Sequence, residues 1–168
     1  MIRFRTVAAV AAFATVAGGR AMAADPLPTE THKVLTANLA VEAAQAAIAA
    51  CEAQGYKMTV TIVDRTGAPK VVVVGDGANK LGAEITRRKA YTAAMMRVTS
   101  GDFGKRVSAP GAFNPAVFDP QLTTAQGGVP IKIGDDTIGA IGAGGAPVGD
   151  KDEACANAGI AKISDRLK

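Results

Sequence analysis

Residues Gly127–Ala146 read GGVPIKIGDDTIGAIGAGGA, seven glycines in twenty positions, and the fold turns on how this stretch divides. Ile131 and Ile133 fall on one side of an extended segment with Lys132 between them. Gly134-Asp135-Asp136 supplies a turn, and Ile138 and Ile141 belong to a returning strand, so the first part is a β-hairpin. A dinucleotide cradle fits poorly. Gly142-Ala143-Gly144-Gly145-Ala146-Pro147 has the first two glycines of G-x-G-x-x-G but proline at the third, and it leaves a hairpin rather than a strand feeding a helix. Two readings of Gly139 and Gly142 stand side by side: they let other backbone approach the strand, or they form one wall of a ligand site. Gly144 and Gly145 turn the chain toward a final helix.

Working outward, the other segments fall into place around this hairpin. Thr36 caps an Ala-rich helix running to Gln54, with Gly55 as its stop. Met58–Asp64 and Pro69–Asp76 are β-branched runs joined by Arg65-Thr66-Gly67-Ala68, a first hairpin with Gly67 in its turn. A second helix is predicted over Leu81–Val98, with Leu81, Ile85, Tyr91, Met95 and Val98 as its apolar side. Thr99–Gln126 reads as a long ordered loop with a short helix at Asp102–Val107, a kind of segment that often carries function. The last helix spans Lys151–Leu167, with Ala156, Ile160, Ile163 and Leu167 on one stripe and a capping box from Asp150 to Glu153. Helix, hairpin, helix, loop, hairpin, helix lacks the strand–helix–strand alternation of a parallel sheet. The expectation is an α+β domain, an antiparallel sheet flanked by helices.

Residues 1–23 read as an export signal: Arg3 and Arg5, an apolar run from Val7 to Ala17 too short to span a bilayer, and a small-x-small site at Ala21-Met22-Ala23. A leader at 24–34 and a single domain at 35–168 follow, which implies a periplasmic or secreted protein. The net charge of +4 is inflated by Arg3, Arg5 and Arg20 of that signal, which holds no acid, and falls to +1 without them. Nucleic-acid binding thereby loses its main support, a dense basic face. Export makes Cys51 and Cys155 a candidate disulfide if the first and last helices are neighbours; the other reading makes both small buried apolar residues.

Several side chains carry chemistry. His32 is the only histidine, so it cannot build a multi-histidine zinc site, but it can serve alone as an axial ligand to a haem iron; a solvated leader histidine is the plainer reading. Arg87-Arg88-Lys89 forms a basic cluster followed by Tyr91. It is either a solvated helix face or the place where Arg88 or Lys89, with Tyr91, holds an acidic group. Met58, Met95 and Met96 are soft donors that also suit a core. Asp135 and Asp136 are explained as turn residues, and Asp150, Asp152 and Glu153 by the capping box rather than by a metal.

Taken together, TVTIVDRTGAP, RRKAYTAA, GGVPIKIGDDTIGAIGAGGA and DKDEACANAGI, in this order, resemble the GlcG/HbpS family of haem-binding proteins, which includes the C-terminal domain of PduO-type proteins. The likeness covers nearly all of the chain from Leu35. It implies a profilin-like or PAS-like fold, assembly into homo-oligomers, and a haem-related role that extends in places to haem degradation or to sensing with a membrane kinase. The stretch Asp119–Gln126 departs from the family's glycine-rich, basic approach to GGVPI. No universal iron-ligand motif carries over, so His32 rests on its chemistry alone.

Three functions compete. An exported haem-binding protein, for storage, scavenging or sensing, would draw on His32, Arg88, Met95, Phe113 and Phe118 for ligand, cation and apolar slot. A small-molecule accessory protein or enzyme of a catabolic pathway would hold an acidic metabolite through Arg88, Tyr91 and the amides of Gly127 and Gly128. The thin stock of acid–base groups, Asp64, Glu84, Tyr91 and His32, favours binding over turnover. The third is an oligomeric signalling scaffold with a large apolar surface.

Overall fold

The computed structural model describes residues 31–168 and opens with α1 (Ala37–Glu52). Thr36 is extended ahead of it, and its hydroxyl accepts the Leu39 N–H at 3.4 Å, which satisfies one of the helix's free amides. Strands β1 (Thr59–Asp64) and β2 (Pro69–Val74) form the first hairpin. Its turn is tied by Asp64 Oδ1, which accepts from the Thr66 N–H at 2.8 Å, the Thr66 hydroxyl at 2.7 Å and the Ala68 N–H at 3.1 Å, and Gly67 takes the left-handed conformation the turn needs (φ +82°). Then come α2 (Gly82–Met96), α3 (Ser100–Val107), a 3₁₀ turn at Pro115–Val117, β3 (Gly128–Ile133), β4 (Asp136–Gly144), α4 (Gly149–Ile163) and a last 3₁₀ turn at Ser164–Arg166. The export-signal reading of residues 1–23 and the leader up to residue 30 lie outside the described residues.

The four strands form one antiparallel sheet in the order β2-β1-β4-β3. The last strand of the second hairpin therefore lies beside the first strand of the first. Alternation along the strands sends Val60, Ile62, Ile131, Ile141 and Ala143 to one face, where they meet Ala40, Ala44, Ala47 and Ile48 of α1 and Ala156 and Ile163 of α4. Cys51 of α1 and Cys155 of α4 are joined in a disulfide on this face, with Cα atoms 5.7 Å apart.

The opposite face carries α2, and here the sequence reading needs correction. The buried side of α2 consists of Thr86, Lys89, Ala90, Thr92, Ala93 and Ala94, whereas Leu81 and Ile85, expected in the core, are 59 % and 44 % exposed. The cause lies in the sheet. Thr61, Gly142 and Gly128 are aligned across β1, β4 and β3. A methyl group at Gly142 would strike the Thr86 carbonyl, and one at Gly128 the Lys89 carbonyl, so α2 backbone rests directly on the sheet. Only small side chains fit in so narrow a gap. Thr61 and Thr86 settle their hydroxyls against each other within it, at 2.8 Å. Of the two readings of Gly142, the close approach of backbone is the one the structure shows.

The last helix also differs from expectation. Its N-cap is Val148, which has no side-chain acceptor, so the Asp150–Glu153 capping box is not formed. Asp152 turns inward instead.

Candidate functional site

Two regions around α2 gather chemistry-bearing side chains. The first is its outer face, which straps down the loop that follows α3. Arg88 donates to the carbonyls of Pro120 (2.7 Å), Leu122 (2.9 Å) and Gln121 (3.4 Å). Arg87 pairs with Glu84 at 2.9 Å and donates to Gln121 Oε1 at 2.9 Å. Tyr91 donates its hydroxyl to Asp119 Oδ2 at 2.7 Å, and this bond, with partial burial and the carboxylate's charge, raises the phenol above the ordinary tyrosine pKa. One turn further on, Met95 packs on the small core under α2, and both Tyr91 and Met95 lie against the first hairpin's turn at Gly67.

The strapped loop presents an apolar platform. Phe113 and Phe118 stack with ring centroids 5.9 Å apart and planes inclined by 30°, and with Val117 between them in sequence they are 72 %, 77 % and 78 % exposed, with Val117 the most exposed. Asp119, next to Phe118, is the residue that Tyr91 holds. Thus Arg88, Tyr91, Met95 and Phe113, chosen separately from the sequence, belong to one helix face and the loop anchored on it.

His32 stands apart from that arrangement, exposed in the segment ahead of α1. Its neighbours Lys33, Val34 and Leu35 line a small cleft of about 210 Å³ with Asp64, Arg65 and Thr66, on the hairpin turn that Tyr91 and Met95 also touch. Gly127 and Gly128 are buried. The Gly128 N–H is already donated to Ser100 Oγ at 2.8 Å and the Gly127 carbonyl accepts from the Ala143 N–H at 2.9 Å, so Gly128 has no amide to offer an acidic metabolite.

The second region went unread in the sequence. Lys89, only 5 % exposed, donates to Asp152 Oδ2 at 2.7 Å and to the Ala143 carbonyl at 2.9 Å, while Asp152 Oδ1 accepts the Ala146 N–H at 2.9 Å. This buried ion pair ties α2 to α4 across the end of β4. It floors a cleft of about 320 Å³ walled by Leu81 and Ile85, the two aliphatics that α2 leaves outside the core. A lysine on a stripe otherwise made of Thr86, Ala90 and Ala93 was the available signal. Among the described residues, no group of three or more His, Cys, Asp or Glu side chains is placed to hold a metal ion.

The fold matches known proteins. A family model described as haem degrading protein HbpS-like covers residues 35–161. The chain belongs to the HbpS-like family. A crystal structure of HbpS superposes with a TM-score of 0.73 at 34 % identity, covering 79 % of this chain and 92 % of that one. A doubly substituted HbpS from Streptomyces reticuli gives 0.72 at 33 % identity over 83 % of this chain and 97 % of that one. A complex of PduOC with haem gives 0.71 at 25 % identity over 78 % and 96 %. No curated protein sequence matches. The HbpS-like fold is thus the four-stranded antiparallel sheet with α1 and α4 on one face and α2 on the other.

Proposed function

We propose that this HbpS-like chain is an exported haem-binding protein serving haem storage, scavenging or sensing. The observation that carries the reading is its likeness, over 78 % of its length, to a protein crystallised with haem. The residues present fit such a group in kind. Clefts of about 320 and 210 Å³ lie at or below the small end of ligand pockets, ~300–1,000 Å³, and neither encloses a tetrapyrrole. A surface platform suits it better, and Phe113, Val117 and Phe118 offer an exposed apolar one, where burial of a ring face is favourable.

Haem, when bound, supplies a redox-active iron. The chain's part is to cover one ring face, to place cations near the propionates, and to offer a ligand. Arg87 of α2, which donates to Gln121 of the strapped loop, and Arg106 at the end of α3 are basic side chains on the helices that precede the platform. Tyr91 keeps its proton through Asp119 and acts as the loop's anchor, which leaves Met95 and His32 as the ligand candidates. The exposed platform also supports a homo-oligomer in which a second copy covers the outer side, and a membrane sensor is a partner of the same kind. Residues 1–23 support a periplasmic or secreted location.

A hemin titration followed in the Soret region tests this. We expect saturable binding with a sharp, shifted band, weakened at least tenfold by the double substitution Phe113→Ser, Phe118→Ser, whose exposed positions leave the fold intact. Met95→Ala and His32→Ala report the ligand by which one moves the band. A broad, unsaturable rise would remove haem from the account, and full binding by the Phe double variant would remove the platform.

A further inference from the structure

We propose that the cleft over the Lys89–Asp152 pair is a binding site for a small neutral molecule with a carbonyl or hydroxyl oxygen on a short aliphatic body. The reasoning begins at Thr59, which is 1 % exposed and lines this cleft from β1. Its neighbour two residues on, Thr61, meets Thr86 at 2.8 Å, but the Thr59 hydroxyl has no hydrogen-bond partner among the described residues. A buried hydroxyl without a partner costs roughly 1–3 kcal/mol, so such groups persist where something other than the protein satisfies them.

Lys89 is the second polar element. An ammonium has three N–H groups, and two are engaged, by Asp152 and by the Ala143 carbonyl. Lys89 also lines the cleft, and we assign its third N–H to a ligand there. Missing side chains keep this corner clear: a methyl group at Gly82 would sit 2.5 Å from Thr59 Oγ1, and one at Gly144 would sit 3.6 Å from Lys89 Nζ. The site therefore presents two donors, a lysine N–H and a threonine O–H, beneath the aliphatic walls of Leu81 and Ile85.

Charge selects among ligands. Lys89 is already neutralised by Asp152, so the floor is polar with no net charge. An incoming carboxylate would gain the Lys89 N–H but face the Asp152 carboxylate, and an ammonium would face Lys89. A neutral acceptor oxygen meets neither repulsion. The volume, about 320 Å³, accommodates a body the size of a six-membered ring. None of this depends on haem, whose platform is built from Phe113, Val117 and Phe118, none of which lines this cleft.

The test titrates cyclohexanone, cyclohexanecarboxylate and cyclohexylammonium, which share an apolar body and differ in the head, into ¹⁵N-labelled protein without haem. We expect cyclohexanone to bind saturably with shifts at the amides of Gly82, Gly144 and Gly145, more tightly than either charged probe. Thr59→Val removes the hydroxyl at constant shape, so it should weaken cyclohexanone roughly tenfold while its melting temperature holds or rises. Three results would overturn the proposal: no saturable shift at those amides with any probe, as for a corner that only water fills; a charged probe binding more tightly than the ketone; or Thr59→Val binding the ketone as the parent does. The first two use the unmodified protein and stand even if the variant fails to fold. Hemin binding unchanged in Thr59→Val would show the two sites to be separate.

Discussion

Lys89 and Asp152 form a buried ion pair between two helices. Both side chains are more than nine-tenths buried and each has a further partner, Ala143 for the lysine and Ala146 for the aspartate. Removing one member leaves an uncompensated buried charge, which costs ~3–5 kcal/mol, whereas removing both charges together is often nearly neutral. Lys89→Met should therefore lower the urea midpoint sharply, and Lys89→Met with Asp152→Asn should recover most of the loss, because asparagine can still accept from Ala146. Equal losses in the single and double variants would mean that the lysine's stem, not its charge, holds α2 in place. The sequence contained this pair only in halves. Lys89 sat in a run of three basic residues that reads as solvated, and Asp152 in an acidic helix start that reads as capping. Their partnership spans 63 residues, and no local pattern encodes it.

Among the elements, those governed by neighbouring residues were legible and those governed by a facing surface were not. Thr36 as the cap of α1, Gly67 in the first turn, both hairpins and the order of helices all follow from residues within a few positions of one another. The face of α2 does not. Leu81 and Ile85 are bulkier than Ala90 and Ala93 and by hydrophobicity alone belong inside, but Gly142 and Gly128 bring the sheet so close that a large side chain has no room. The same geometry explains why the cleft was not legible: its walls, Leu81 and Ile85, are aliphatics that α2 leaves outside the core. Gly142→Ala tests the account. Its added methyl would meet backbone atoms of Thr86 and Ala90, which cannot rotate aside, so α2 must lift along much of its length. A loss of ~1–3 kcal/mol is expected, at the severe end for a single methyl, together with shifted amide signals along α2. A variant as stable as the parent, with an undisturbed α2, would show that the helix does not rest on Gly142.

For the whole molecule, the disulfide between Cys51 and Cys155 closes a loop across a sequence separation of 104 and spans almost the entire described fold, from α1 to α4. The two helices already touch closely, through Gly159 of α4 against the Ala43 carbonyl of α1 and through Arg166 paired with Glu42 at 2.8 Å. The bridge therefore acts mainly on the unfolded chain, by forbidding the extended states in which the first and last helices part. For a loop near 100 residues this chain-entropy effect is ~4–5 kcal/mol. That is a large share of the 5–15 kcal/mol typical of a domain. Both sulfurs are buried, so a reductant added to the folded protein should act slowly, through unfolding, whereas protein reduced in denaturant and refolded under reductant should show the full effect. The melting temperature of that reduced form is expected to fall by roughly 10 °C or more and to match the variant with both cysteines replaced by alanine. The proposed export would place this bridge in an oxidising compartment, where disulfides persist. If the reduced and oxidised forms melt together, the bridge contributes nothing, and the chain would fold equally well in a reducing one.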